Sequence, residues 1–206
     1  MSKTQIPTGG IADDAISEEH LDATAITGHT ALAATPADTD EFLISDGGVL
    51  KRLDASYIGG NNTPAFFVRN SANQDVSHGS ETLVTWGTEI LDTDNAFASN
   101  KFTPQEAGKY FIAFQLGGSD DSATSSNLAY LALKIRKNGS SYESQGIFNL
   151  NNNQGRQATY SIQAIVDLNG SSDYVDFSAE VGTADSSTAR FIDDYARASG
   201  FKLIGA

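Results

Sequence analysis

The stretch Asn95-Ala96-Phe97-Ala98-Ser99-Asn100-Lys101-Phe102-Thr103-Pro104-Gln105-Glu106-Ala107-Gly108-Lys109-Tyr110-Phe111-Ile112-Ala113-Phe114-Gln115-Leu116 decides how this chain is read. Phe102 opens its second half, Pro104 cannot donate to a ladder and so breaks pairing, and Gly108 permits a bend before a strand. In that strand Tyr110, Ile112, Phe114 and Leu116 share one face, because side chains alternate with a period of two. The opposite face is not purely polar. Phe111 and Ala113 point that way, with Gln115 beyond them. A strand apolar on both sides is expected at the centre of a sandwich that also meets a neighbouring subunit.

Working outward, everything from Ala65 onward reads as β. Strands are expected at 65–69, 82–91, 109–116, 128–137, 142–150, 158–168, 174–181, 189–192 and 199–204. They are separated by the turn signals Gly117-Gly118-Ser119-Asp120-Asp121, Asn138-Gly139 and Asn169-Gly170. Nine or so short strands with almost no helical periodicity predict an all-β sandwich or jelly roll. The Ser- and Asn-rich segments 119–127 and 149–157 then become loops at its ends, where recognition usually sits. Asp120, Asp121, Asn127, Asn151, Asn152 and Asn153 are the candidate receptor-loop residues. Tyr142, Phe148 and Tyr160 are aromatics that either stack on sugars or fill the core.

The first sixty residues differ in kind. Only Phe42 and Tyr57 among the 18 Phe and Tyr of the chain fall there, so the core is C-terminal. Ile6, Ile11, Ile16, Leu21 and Ile26 recur every five residues, a period that fits neither helix nor strand throughout. One short helix is expected near residues 13–23, with Glu18 and Glu19 favouring its early turns. So thin an apolar line cannot bury itself in a monomer. It is either a disordered tail or an anchor that orders against sister chains or a larger assembly. Residues 41–45 and 49–53 flank Asp46-Gly47-Gly48 and read as a hairpin, which alone is marginal in water and needs partners. Three copies about an axis suffice. Gly59-Gly60-Asn61-Asn62-Thr63-Pro64 reads as a linker, so the expected organisation is an anchor (1–30), a hairpin neck (31–60) and a head (61–206).

Charge excludes several function classes. The chain has 26 acids and 13 bases, net −13, and residues 61–206 account for sixteen acids and ten bases. Nucleic-acid phosphates and anionic membranes both need clustered Lys and Arg, so neither is an expected partner. The one basic run, Lys134-Ile135-Arg136-Lys137, reads as the solvated face of an alternating strand. There is no Cys, hence no disulfide or thiolate chemistry. Met1-Ser2-Lys3-Thr4-Gln5 leads into no apolar run of signal-peptide or membrane-span length, so a soluble chain is expected. The three histidines, His20, His29 and His78, form no metal-ligand spacing, and His78 beside Gly79 reads as a surface turn residue. With no nucleophile elbow, the expectation is a protein that is not an enzyme. Asn61-Asn62-Thr63, Asn138-Gly139-Ser140 and Asn169-Gly170-Ser171 match the glycosylation pattern and are read as turns.

Over about 64–206 the pieces resemble, in order and spacing, the globular head of complement C-one-q, which shares the jelly roll of the tumour-necrosis-factor ligands. The resemblance is carried by Asn95, Phe97, Phe102-Thr103-Pro104, Gly108, Tyr110 and Ile112, then Leu133 to Gly139, then Val166-Asp167-Leu168-Asn169-Gly170 with Asp173-Tyr174-Val175, and finally Ala198 to Ile204. Ile112 stands where the family often has Phe, Ser171-Ser172 enlarges the usual turn, and collagen repeats are absent. The resemblance implies a homotrimer with apolar strand faces at its axis, in which Phe102, Gly108, Tyr110, Phe111, Ile112, Phe114 and Phe201 form the core or trimer strands. The family sometimes holds calcium near that axis, and Asp120-Asp121 or Asp193-Asp194 could supply oxygens, although neither has EF-hand spacing. Solvated acidic loops are the favoured reading, and no other cofactor is expected.

The first sixty residues resemble instead the N-terminal pieces of tail-fibre and appendage proteins of marine bacteriophages, through Ile11-Ala12-Asp13-Asp14-Ala15-Ile16 and Asp38 to Gly48. The combined expectation is a trimeric virion fibre or spike on the particle surface. Its N-terminus would hold a phage tail or capsid protein, and its head would adhere to a host surface glycan or protein. A capsid decoration protein (head fibre or cement) is the alternative, and a secreted complement-type ligand the third reading.

Overall fold

The computed structural model describes residues 10–11, 27–33, 36–37, 39–58, 62–122, 125–147, 150 and 154–204. The helix expected near 13–23, the anchor positions Ile6, Ile16, Leu21 and Ile26, and the loop residues Phe148, Asn151, Asn152 and Asn153 lie outside them. The chain divides into two compact units, residues 1–59 and 60–206.

In the first unit, β1 (Glu41–Asp46) and β2 (Val49–Asp54) pair antiparallel from Glu41↔Asp54 to Asp46↔Val49. The turn is the two-residue Gly47-Gly48 at φ +60° and +82°, so Asp46 belongs to the strand and not to the turn. Two consecutive positive φ values suit the right-handed strand twist and are cheap only for Gly. Phe42, Ile44, Val49 and Leu53 lie on one face of the ribbon, while Leu43 and Leu50 lie on the other. Leu43 and Leu50 are 71% and 68% exposed.

The second unit is a jelly-roll sandwich of two six-stranded antiparallel sheets. The front sheet takes β3 (Ala65–Arg69), β4 (Gln74–Val76), β6 (Thr88–Asp92), β9 (Ala107–Asp120), β12 (Gln157–Asn169) and β14 (Ala189–Lys202). Its order is β12-β9-β14-β3-β6, with β4 on β14. The back sheet takes β5 (Thr82–Leu83), β7 (Phe97–Ala98), β8 (Lys101–Phe102), β10 (Leu128–Lys137), β11 (Ser140–Ile147) and β13 (Val175–Thr183). Its order is β11-β10-β13-β8-β7, with β5 on β13. From β8 onward every connection except the β10–β11 hairpin crosses between sheets. That hairpin turns at Asn138-Gly139, both at positive φ, as the sequence indicates.

Aromatic rings hold the sheets together. Phe177 of β13 packs 5.1 Å from Phe114 of β9 and 6.2 Å from Phe66 of β3, centroid to centroid. Phe66 in turn lies 4.5 Å from Phe102, whose ring meets Tyr110 edge-on at 5.5 Å. Tyr110, Ile112, Phe114 and Leu116 are all buried on one face of β9, as their spacing requires. The Tyr110 hydroxyl donates to the Glu106 carbonyl at 2.7 Å, and burial, with Glu106 and Asp94 nearby, pushes its pKa up to about 12.

Five features differ from the sequence reading. The expected strand at 82–91 is two strands in different sheets, because residues 84–87 cross the sandwich and insert Trp86 edge-on to Phe114 and Phe177. The Trp86 backbone N–H donates to Asn100 Oδ1 at 2.8 Å, which anchors the crossing. The strands expected at 189–192 and 199–204 are one, β14, since both halves pair with β9 and the surplus residues 193–196 bulge out. Gly117, Gly118, Ser119 and Asp120 extend β9 and form no turn there; Tyr195 from the bulge and Val181 with Leu131 occupy the space above the two glycines. The strand also begins before Gly108, at Ala107; Gly108 sits within it at φ +150°, and a Cβ there would come 3.0 Å from Lys202 Cε. Lys202 crosses over that glycine to pair with Glu106 at 2.7 Å. Strands β4, β7 and β8, at most three residues each, are too short for a periodicity to show.

Trp86 is the only tryptophan and lies 5.7 Å from Phe177, so its emission reports the core directly. Phe177→Ala should lower unfolding free energy by about 3–5 kcal/mol in denaturant titrations followed at Trp86. Leu43→Ser in the exposed hairpin should leave that transition within about 0.5 kcal/mol of wild type.

Candidate functional site

The outer face of the front sheet is built in rows by strand register. Ile165, Phe111, Phe201 and Ala65 form one row across β12, β9, β14 and β3. Gln163, Ala113, Ser199, Phe67 and Leu91 form the next. Ser161, Gln115, Arg197, Arg69 and Thr88 form the third. The face therefore grades from apolar at one end to cationic at the other. Ile165, Leu91 and Phe201 are 54%, 47% and 37% exposed, and the Phe111 and Phe201 rings lie 5.5 Å apart. A groove of about 610 Å³ runs over the second and third rows to Glu143 and Gln145 of β11.

Of the sequence-selected strand residues, Phe102, Tyr110, Ile112 and Phe114 are buried between the sheets, whereas Phe111 and Phe201 lie together on this outer face. The sequence reading placed Phe111 and Ala113 on the second face of β9 but missed Phe67, Leu91 and Ile165. The signal was available as alternation in β3, β6 and β12. Their meeting depends on cross-strand register, which no local pattern supplies.

The free edge of β12 is covered by side chains of the other sheet. Tyr142 Oη donates to the Ile165 carbonyl at 2.9 Å, and Lys137 Nζ to the Asp167 carbonyl at 2.6 Å. Tyr160 Oη bonds Gln145 Oε1 at 3.2 Å. The first two contacts occupy backbone carbonyls that an edge strand otherwise presents to other chains. Tyr142 remains 48% exposed, and Tyr160 packs at the margin of the core.

The basic run is not a free solvated face. Lys134 Nζ meets Glu81 Oε2 at 2.5 Å, Lys137 Nζ meets Asp173 Oδ2 at 3.0 Å, and Arg136 lies between Glu81 and Asp176. Arg136 Nε is 2.9 Å from Asp176 Oδ1 but off the line of a hydrogen bond, so that contact is electrostatic. Burial raises the pKa of Asp176 against the opposing pull of Arg136, because the carboxylate is only 2% exposed. Hydrogen bonds from Lys134 and then Ser178 lower that of Glu81.

Among the loop candidates, Asp120 ends β9 and is 3% exposed, with Ser122 and Ser125 hydroxyls donating to it, so it is no open recognition residue. Asp121 is exposed, and Asn127 Nδ2 donates to Asp185 at 2.7 Å across the loop mouth. Asp193 and Asp194 lie in the β14 bulge, where Asp193 Oδ1 accepts the Asp194 N–H at 2.9 Å. The anchor position Ile11 is 46% exposed. His78 sits in a turn, its Nδ1 accepting the Thr183 N–H at 2.9 Å.

No protein-family model and no curated protein matches the chain. Among solved structures it is similar to murine APRIL at pH 5.0, at 9% identity and a TM-score of 0.44, over 68% of this chain and 98% of that one. It is also similar to Eiger TNF from S. frugiperda, at 14% identity and a TM-score of 0.45, over 69% and 93%.

The Glu81 cluster has a testable pH signature. Because its folded pKa is lowered, Glu81 contributes stability that is present above its ordinary value of 4.5 and lost as pH falls through the folded value. Glu81→Gln should therefore melt below wild type at pH 7, and the difference should shrink as pH falls below 4.5 in paired thermal scans.

Proposed function

We propose that this chain is a homotrimeric bacteriophage fibre or spike protein whose jelly-roll head adheres to a host surface and whose N-terminal residues hold it to the particle. The observation that carries the assembly is the apolar row Ile165, Phe111 and Phe201, open at the apolar end of the front sheet beyond the groove. Soluble monomers rarely leave so continuous an apolar band uncovered, and in a closed symmetric assembly each copy covers the same band on its neighbour. The hairpin supports the same reading, since apolar side chains on both of its faces need cover that a two-stranded ribbon cannot give itself. The phage setting rests on the residues of the anchor and hairpin that resemble marine phage appendages. Three sites on one rigid head raise avidity without any new contact.

Light scattering of the full chain should give three times the 21.8 kDa protomer mass. Phe111→Glu with Phe201→Glu should give monomers whose Trp86 emission stays native, as both positions face outward. A monomeric wild-type chain sinks the trimer. Deletion of residues 1–30 should abolish attachment to particles while the head stays folded, and retained attachment overturns the anchor. Free full-length protein should compete with virus for host cells; attachment without competition transfers the assignment to capsid decoration.

A further inference from the structure

The third row of the front face carries an unusual juxtaposition. Arg197 of β14 and Arg69 of β3 are direct cross-strand partners, and both are exposed on the outer side. Like charges directly opposite one another destabilise a strand pair. Among the described residues neither arginine forms an ion pair, as is also true of Lys101, Lys109 and Arg156 of the same unit, whereas Lys134, Arg136, Lys137, Arg190 and Lys202 do. The arginine hydrogen bond on this row runs from Arg197 Nη2 to the Asp194 carbonyl at 3.4 Å, which leaves most of that guanidinium fork unused. Acids outnumber bases sixteen to ten in this unit. Yet Glu143, which lines the groove beside Arg197, and Asp193 and Asp194, which line a neighbouring depression with Arg69, form no ion pair with either arginine.

Beside the pair lies the 610 Å³ groove, a volume within the range of small-molecule sites. Its lining is rich in neutral hydrogen-bonding groups: Gln115, Gln145, Gln163, Ser161 and Ser199. Ser161 reaches Gln115 and Gln115 the Tyr195 carbonyl only at 3.4 Å, and Gln145 Oε1 accepts from Tyr160 at 3.2 Å, which leaves the Gln145 amide N–H groups and other donors and acceptors for a ligand. Guanidinium forks match carboxylate and sulfate in a bidentate manner, and amides and hydroxyls match sugar hydroxyls.

We propose that this groove binds a saccharide bearing a single carboxylate or sulfate, with Arg197 and Arg69 clasping the anionic group and the glutamines and serines holding the ring. The net negative charge of the unit repels a polyanionic tract at long range. That leaves recognition to short-range contacts with one oxyanion. All of these residues belong to one chain, and the arginines lie beyond the apolar row. Only the biological source of the saccharide rests on the adhesive reading above.

The test is calorimetry on the full chain with glucuronate and galactose 6-sulfate as probes, against glucose, galactose and inorganic sulfate. The charged sugars should bind at least tenfold more tightly than their neutral counterparts. Arg197→Gln and Arg69→Gln should each remove most of that preference, while Lys109→Gln, a charge loss at the far end of β9, should leave it intact. Equal binding of neutral sugars, no binding of any sugar, or wild-type affinity in the double arginine variant overturns the proposal. Sulfate binding as tightly as galactose 6-sulfate overturns the saccharide and leaves a free-oxyanion site. Light scattering on the same samples keeps the two readings apart, since a monomer that still prefers charged sugars refutes the trimer alone.

Discussion

The structure depends on the contact of Phe177 with Phe114, Phe66 and Trp86 across the gap between the two sheets. Each ring comes from a different strand or crossing, so the cluster closes only if β13, β9, β3 and the 84–87 segment all hold their registers. A slip of one residue would turn every side chain of a strand to the opposite face. The aromatic core therefore fixes more than stability. It dictates which residues are left outside.

On the front sheet those residues are graded, with Phe111, Phe201 and Ile165 at one end and Arg197 with Arg69 at the other. On the back sheet the outer face is closed by charge pairing instead, with Lys134, Arg136, Glu81, Asp176 and Ser178 satisfying one another. Of these charged rows only the back one is matched internally, since Arg197 and Arg69 form no ion pair among the described residues.

The front face is partly legible in the sequence. The two-sided apolar pattern of β9 placed Phe111 and Ala113 on the face opposite Tyr110 and Ile112, because alternation alone fixes which side chains share a face. Thr82 to Leu91 misled for a physical reason: its alternation persists through a crossing, while the transfer between sheets is decided by Trp86 and its tether to Asn100. The glycines at 117 and 118 misled likewise, since a Gly pair signals a turn locally but here admits Tyr195, Val181 and Leu131. Asp120 looked like a loop carboxylate and is a buried strand end.

The sequence by itself determined the fold class, the positions of most long strands, the Gly47-Gly48 and Asn138-Gly139 turns and the inward set Tyr110, Ile112, Phe114 and Leu116. All of these follow from period-two patterning and from residues that tolerate positive φ, which are local properties. Only the tertiary structure decided the rows: that Ile165, Phe111 and Phe201 are neighbours, that Arg69 faces Arg197, and that Lys134 and Arg136 find Glu81 and Asp176. These are contacts between strands far apart in the chain. Their register is set by packing across the whole sandwich and by the bulge at 193–196, and no window of sequence contains that information.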